Sequence, residues 1–128
     1  MTKQDVVEFG AALGVEVRPC HERGRRKNRD GTYFLSRADG LGGWVVTKGC
    51  RSQHVSIGQR SLKSVHIGRS LRHVGEAQAF LFLAVQEFAA LDLASVRAAC
   101  AAEIQVEINS QRSHLDTLEA ELASVEGQ

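Results

Sequence analysis

The spacing of the apolar residues changes at Glu76, and this change limits the possible fold more than any other feature of the chain. Between Val15 and Val74, short runs rich in β-branched and aromatic residues alternate with glycine-containing turns, a pattern typical of an antiparallel meander. After Glu76 the apolar residues recur every three or four positions, as in amphipathic helices. The sequence therefore predicts an α+β fold, in which a small antiparallel β-sheet packs on helices and a long, coiled-coil-like helix ends the chain.

Glycine turns divide the first half into short strands. An apolar helix face from Val6 to Leu13 comes first, and Gly14 is a typical residue for ending such a helix. The predicted strands are 15–18, 32–37, 44–47 and 53–57, and residues 38–43 are expected to form a turn. An internal repeat follows, because 55–65 and 65–74 both contain V-x-I-G and then R-S-L-[KR]-x-V. Each copy predicts a strand and a turn, so the two copies are expected to be successive strands of one sheet.

The second half predicts two helices, separated at Asp92, which is a good N-cap residue. Residues 77–90 are apolar over more than half of the helix surface, so this helix is expected to be buried against the sheet. Residues 93–126 fit three to four heptads with one polar core position, Gln111. The predicted dimerisation residues are Ile104, Ile108, Gln111, Leu115, Leu118, Leu122 and Val125. In a parallel dimer, the charged residues beside the heptad core form two attractive pairs and one repulsive pair between the two helices. These pairs favour a parallel dimer without excluding an antiparallel one.

The charge is divided at the same place as the apolar pattern. Residues 1–75 contain 14 Lys and Arg against 6 Asp and Glu, whereas residues 76–128 contain 2 against 9. We therefore expect a basic α+β domain over 1–91 and an acidic helical dimerisation segment over 92–128. A basic domain favours polyanion binding, and an acidic helix favours assembly.

The strongest functional signal is an arginine-rich stretch between the first two strands. Clustered guanidinium groups bind phosphate bidentately, and the release of counterions drives association with nucleic acid. The predicted nucleic-acid-binding residues, which extend from this stretch over the sheet, are Arg23, Arg25, Arg26, Lys27, Arg29, Lys48, Arg51, Arg60, Lys63, Arg69 and Arg72. Tyr33 and Trp44 are candidate stacking faces, although both residue types are also common in ordinary strands.

Three interpretations of function stay open on this basis. The first is a small dimeric nucleic-acid-binding accessory or regulatory protein, with DNA favoured over RNA. The second is an adaptor or inhibitor, of phage or mobile-element type, that blocks a host nucleoprotein complex and has no nucleic-acid affinity of its own. Its acidic helix would then imitate the charge of DNA or bind a protein partner. The third, an enzyme, is disfavoured because none of the common catalytic motifs is present in the sequence.

Metal, cofactor and membrane interpretations have little support in the sequence. Cys20-His21 and Cys50-x-x-x-His54 could in principle converge on zinc, but the pattern contains no CxxC pair, so no metal or other cofactor is expected. Three widely spaced cysteines are typical of reduced thiols, and the polar N-terminal residues do not resemble a signal peptide. The longest apolar stretch, 77–90, is too short to span a bilayer. A cytoplasmic protein is therefore the expectation.

Overall fold

The computed structural model describes residues 3–19, 31–47, 52–67, 71 and 74–127. In chain order the elements are α1 (Lys3–Ala12), β1 (Val15–Pro19), β2 (Thr32–Arg37), β3 (Leu41–Val46), β4 (Ser52–Ile57), β5 (Arg60–Ser61), α2 (Ala77–Ala90) and α3 (Leu93–Glu126). The strands form one antiparallel sheet in the order β1-β2-β3-β4-β5. The predicted α+β class and the predicted meander are both confirmed. Gly14 joins α1 to β1 with a φ of 80°, a conformation that favours glycine.

The third strand begins earlier than predicted, because Gly42 and Gly43 belong to β3 and not to the preceding turn. The reason lies in the packing beneath the sheet. A Cβ atom at Gly43 would lie 2.6 Å from the His54 carbonyl oxygen and 3.3 Å from the Phe88 ring of α2. Glycine at this position therefore lets α2 approach the sheet closely, which is a use of glycine inside a strand and not a turn signal.

The internal repeat does not produce two equivalent strands, and this part of the prediction is wrong. The first copy forms β4, a turn and the two-residue β5, but Val65 to Ile67 of the second copy form no strand. The chain leaves the sheet after Ser61 because the next two exposed backbone N–H groups, those of Lys63 and Ser64, donate to a side chain of α3 instead of to a neighbouring strand. Ile67 is still buried in the core.

The core lies between one face of the sheet and the two shorter helices. Val6 of α1, Val45 of β3 and Val55 of β4 are fully buried, and the same core contains residues of α2. The predicted burial of this helix is confirmed for Phe80, Leu81, Ala84, Val85 and Phe88. Apolar contact with both the sheet and α1 therefore fixes α2 in place.

The last helix begins and ends as predicted, and only its first turns join the core. Asp92 caps it, accepting hydrogen bonds from the Ser95 backbone N–H at 3.1 Å and the Ser95 hydroxyl at 2.7 Å. These bonds lower the pKa of the Asp92 carboxyl. Val96 and Cys100 are buried, but of residues 101–127, which we call the arm, every residue except the half-buried Glu103 is exposed.

No helix among the described residues is both long and apolar enough to cross a membrane alone. Only α2 and α3 taken together reach that length and composition, and they do so across a bend of 87°.

Candidate nucleic-acid interface

The sheet has a second face, and its side chains differ from those of the core face. Successive residues of a strand point to opposite faces, so the buried Tyr33 and Val45 point to the core and their neighbours Phe34 and Trp44 point away from it. His54, which precedes the fully buried Val55, also lies on this second face. Tyr33 is therefore a core residue, whereas Trp44 is available on the outer face.

Strand register aligns four of these outer side chains across the sheet. Arg18 of β1 lies opposite Phe34, which lies opposite Trp44, which lies opposite His54. We call Arg18, Phe34, Trp44 and His54 the cross-strand row. Side chains at such opposite positions are close enough to touch their neighbours. The row therefore places a cation, two aromatic rings and an imidazole in one line.

The geometry of the row shows how its rings are presented. The ring centroids of Trp44 and His54 are 4.5 Å apart at an interplanar angle of 28°, so these two rings are stacked. Both residues are half-buried, whereas Phe34 is 36% exposed. The Arg18 side chain is 67% exposed, and its Nε lies 3.4 Å from a carboxylate oxygen of Glu16. The row thus combines a fixed aromatic pair with an accessible ring and an accessible charge.

Small residues lie beside the row. The next register line towards the other end of the sheet runs from Glu16 through Ser36 and Gly42 to Ser56. Three of these four residues have a short side chain or none. The sheet surface beside the rings is therefore formed mainly by small residues.

Most of the basic residues predicted to bind nucleic acid lie outside the described residues. These are Arg23, Arg25, Arg26, Lys27, Arg29, Lys48, Arg51, Arg69 and Arg72. The strands on either side of the first seven of these residues, from Arg23 to Arg51, belong to the described part of the chain. β1 ends at Pro19 and β4 begins at Ser52, and in this antiparallel sheet the β1–β2 and β3–β4 connections leave from the same end. The cross-strand row lies within two residues of that end.

Arg60 and Lys63, the other two predicted residues, lie against the acidic helix. Arg60 Nη2 is 3.0 Å from Glu107 Oε2. The backbone N–H of Lys63 donates to both carboxylate oxygens of Glu103, at 2.9 and 3.1 Å. The N–H and hydroxyl of Ser64 donate to the same carboxylate at 3.1 and 2.6 Å. These bonds, together with the charge of Arg60, lower the pKa of Glu103.

The predicted dimerisation residues all lie on the arm and are all exposed in the single chain. The exposed fractions of Ile104, Ile108, Leu115, Leu118, Leu122 and Val125 range from 37% to 74%. Gln111 lies on the same stripe. The structure thus groups these residues on one helix without giving them a partner within the described chain.

The described part of the chain contains no cluster of residues suited to metal binding or to thiol chemistry. No group of three or more His, Cys, Asp and Glu residues there could hold a metal ion. Cys100 is a buried free thiol, and Cys20, His21 and Cys50 lie outside the described residues. His54, one of the candidate zinc ligands, is stacked on Trp44.

No protein-family model, no curated protein and no solved structure matches this chain.

Sequence reasoning identified Trp44 but missed the rest of the cross-strand row. Strand alternation alone could have assigned Phe34 to the face opposite its neighbour Tyr33. The register that aligns Arg18, Trp44 and His54 depends on where each turn ends, and the predicted β2–β3 turn ends three residues too late.

Proposed function

We propose that this protein binds single-stranded nucleic acid on the outer face of its sheet. Phe34 and Trp44 would stack on bases, while Arg18 and the basic β1–β2 and β3–β4 connections would neutralise phosphates. The observation that carries this proposal is the cross-strand row itself, a line of two aromatic rings and an imidazole that ends in an accessible arginine, near the end of the sheet from which both basic connections leave.

Aromatic side chains on a sheet favour a single strand over a duplex. Bases in a duplex are already stacked on one another, whereas an unpaired base can lie against a protein ring. Such stacking contributes about 1–3 kcal/mol per base and tolerates many sequences, because every base has a π-face. Two rings separated by one strand spacing therefore suit neighbouring unpaired bases.

The charge distribution supports the same ligand. The β1–β2 connection contains five basic residues and the β3–β4 connection contains two. Phosphates that pass across that end of the sheet would meet these charges, so binding would weaken as salt rises. The proposal is one of binding without a catalytic step. We also assign the protein to the cytoplasm, because three widely spaced cysteines are typical of reduced thiols.

The direct test compares two alanine variants with nearly equal exposure. Phe34 is 36% exposed on the outer sheet face, and Leu83 is 37% exposed on α2. We expect Phe34→Ala to raise the Kd for a labelled single strand by about five- to a hundredfold, because a stacking partner is lost. Leu83→Ala should leave the Kd unchanged. Fluorescence anisotropy gives the Kd of both variants and of the unmodified chain for single-stranded DNA, single-stranded RNA and duplex DNA.

Two results would contradict the proposal. One is an equal loss of affinity in both variants, which would indicate an effect of stability and not of stacking. The other is an absence of binding to every strand at about 50 mM salt, where phosphate contacts are strongest. The second result would favour the adaptor or inhibitor interpretation, with the outer face as a surface for a protein.

Neutralising the arginine-rich stretch tests the electrostatic half of the proposal. We expect Arg25, Arg26, Lys27 and Arg29, all changed to Gln, to weaken binding and to flatten its dependence on salt, by about 0.7 in the log–log slope for each lost phosphate contact. Affinity measured between about 50 and 200 mM salt gives this slope. An unchanged slope would show that these four residues do not contact phosphate.

A further inference from the structure

The arm exposes more apolar surface on one side than an isolated helix normally does. α3 is 34 residues long, about 50 Å at 1.5 Å per residue, and only Val96 and Cys100 of it are buried. Seven large apolar side chains follow on the arm, from Ile104 to Val125, with exposed fractions between 37% and 74%, and all of them except Val106 lie on one stripe. Helices in water depend mainly on packing of their apolar side, so a stripe of this length indicates a missing partner.

We propose that the partner is a second copy of this chain, and that the two arms form a parallel, in-register coiled coil. Ile108, Leu115 and Leu122 occupy the a positions of its heptads, and Ile104, Leu118 and Val125 occupy the d positions together with Gln111. This inference does not depend on nucleic-acid binding, and its tests use the protein alone.

Charges beside the stripe complement a second copy of the same helix. In the parallel arrangement Glu107 lies beside the second copy's Arg112, and Glu119 lies beside its His114. Glu107 also pairs with Arg60 of its own chain, at 3.0 Å, and its side chain remains 55% exposed for a second partner. Each attractive pair occurs twice in a symmetric dimer, and the repulsive Glu121–Glu126 pair lies at the distal end of the helix.

An antiparallel arrangement with full overlap has poorer complementarity. It places Glu107 beside the second copy's Glu121, and Arg112 beside its own counterpart, so that like charges meet on both sides of the stripe. Sliding the antiparallel helices by one heptad removes these repulsions, because Arg112 then faces Glu119 and His114 faces Glu121. The flanking charges therefore reject one antiparallel register but not the other.

Gln111 decides between the two arrangements that remain. In the parallel dimer it faces the second copy's Gln111, and two amides can satisfy each other by hydrogen bonding. In the shifted antiparallel dimer it faces Leu122, which leaves its amide without a partner inside the interface. An unpaired buried amide costs more than exposed ion pairs contribute, so the parallel arrangement is favoured.

The oligomeric state tests the choice of partner. Sedimentation equilibrium of the full chain at micromolar concentration should give twice the mass of the 14.0 kDa monomer. Leu118→Asp, which places a carboxylate in the stripe, should shift the protein to a monomer. Ala120→Asp is the matched control, since it introduces the same residue on the opposite side of the same helix turn and should leave the dimer intact.

Three outcomes of sedimentation would overturn the proposal. These are a monomer at every concentration of the unmodified chain, a dimer that survives Leu118→Asp, and a dimer that both variants disrupt equally. Circular dichroism of each variant shows whether the helix content of the domain is retained. The mass of the unmodified chain remains decisive even where a variant fails to fold.

Orientation is tested by disulfide formation near the end of the arm. A parallel pair brings both copies of residue 127 together, so Gly127→Cys should give a disulfide-linked dimer under mild oxidation, above the amount formed by the unmodified chain. In either antiparallel register the two residues lie about 30 Å or more apart along the helix axis. A sedimenting dimer in which Gly127→Cys forms no additional disulfide would therefore contradict the parallel arrangement.

Discussion

Glu103 joins the basic and acidic halves of the chain through a single carboxylate. Its two oxygens accept hydrogen bonds from both backbone N–H groups and the hydroxyl of the turn at Lys63 and Ser64. The same turn follows the last strand, so Glu103 takes the N–H groups that a continuing strand would offer to the sheet. An interaction between residues about 40 positions apart is not visible in the local sequence pattern, which explains why the prediction for the second copy failed.

The hydrogen bonds of Glu103 should make its protonation measurable at low pH. Hydrogen bonds from Ser64 and Lys63 lower the pKa of this carboxyl. Its contribution to stability is therefore complete above the ordinary glutamate pKa of about 4.3 and is lost as the pH falls through the lower, folded value. We expect the Ser64 amide resonance to titrate with a midpoint below 4.3 in an NMR experiment. Glu103→Gln should abolish this titration step, and a midpoint at or above 4.3 would contradict the observed hydrogen bonding.

Arg37 also joins two elements, because this residue of β2 fixes the end of α2 to the sheet. Its Nη1 donates to the carbonyl oxygens of Phe88 at 3.0 Å and Leu91 at 2.8 Å. The guanidinium also bonds to Asp39 and lies 5.9 Å from the Phe88 ring centroid. A positive charge at a helix C-terminus is favourable. The Phe88 carbonyl oxygen also accepts a hydrogen bond from the Leu91 backbone N–H at 3.3 Å, so Arg37 adds a second donor to it.

Removing this contact should destabilise the whole domain. We expect Arg37→Gln to lower the free energy of unfolding by about 1.5–3 kcal/mol, since hydrogen bonds from a half-buried charged group are lost. Arg18→Gln is the matched control, because the Arg18 side chain is 67% exposed and its loss should change stability by less than about 0.5 kcal/mol. Urea unfolding measures both. Equal effects of the two substitutions would contradict the role given to Arg37.

The elements themselves were largely predictable from local patterns. The bounds of α2 and α3 follow from apolar spacing and from the Asp92 cap, which are local signals that the tertiary structure does not override. The β2–β3 turn was predicted too long, because glycine can mark either a turn or a close approach of another element. At Gly43 the close approach of Phe88 is the cause, and it depends on a helix 45 positions later in the chain.

At the scale of the whole molecule, the split in charge falls at the boundary between the sheet and the two helices that follow it. The basic half contains all five strands, and seven of the nine acidic residues of the second half lie on α2 and the arm. The distribution of charge along the sequence predicted this split, and the spacing of apolar residues predicted the stripe of the arm. Neither could predict that Phe34, Trp44 and His54 share one face of the sheet, because that depends on the register of the strands.

Base stacking on the sheet can be followed through the fluorescence of the single tryptophan of the chain. Trp44 lies in the cross-strand row, so a base that stacks there must change its fluorescence. Titration with single-stranded oligothymidylate should quench Trp44 emission in a saturable way, with the same Kd as fluorescence anisotropy gives. Binding detected by anisotropy with unchanged Trp44 emission would place the nucleic acid elsewhere on the molecule and would contradict base stacking on the cross-strand row.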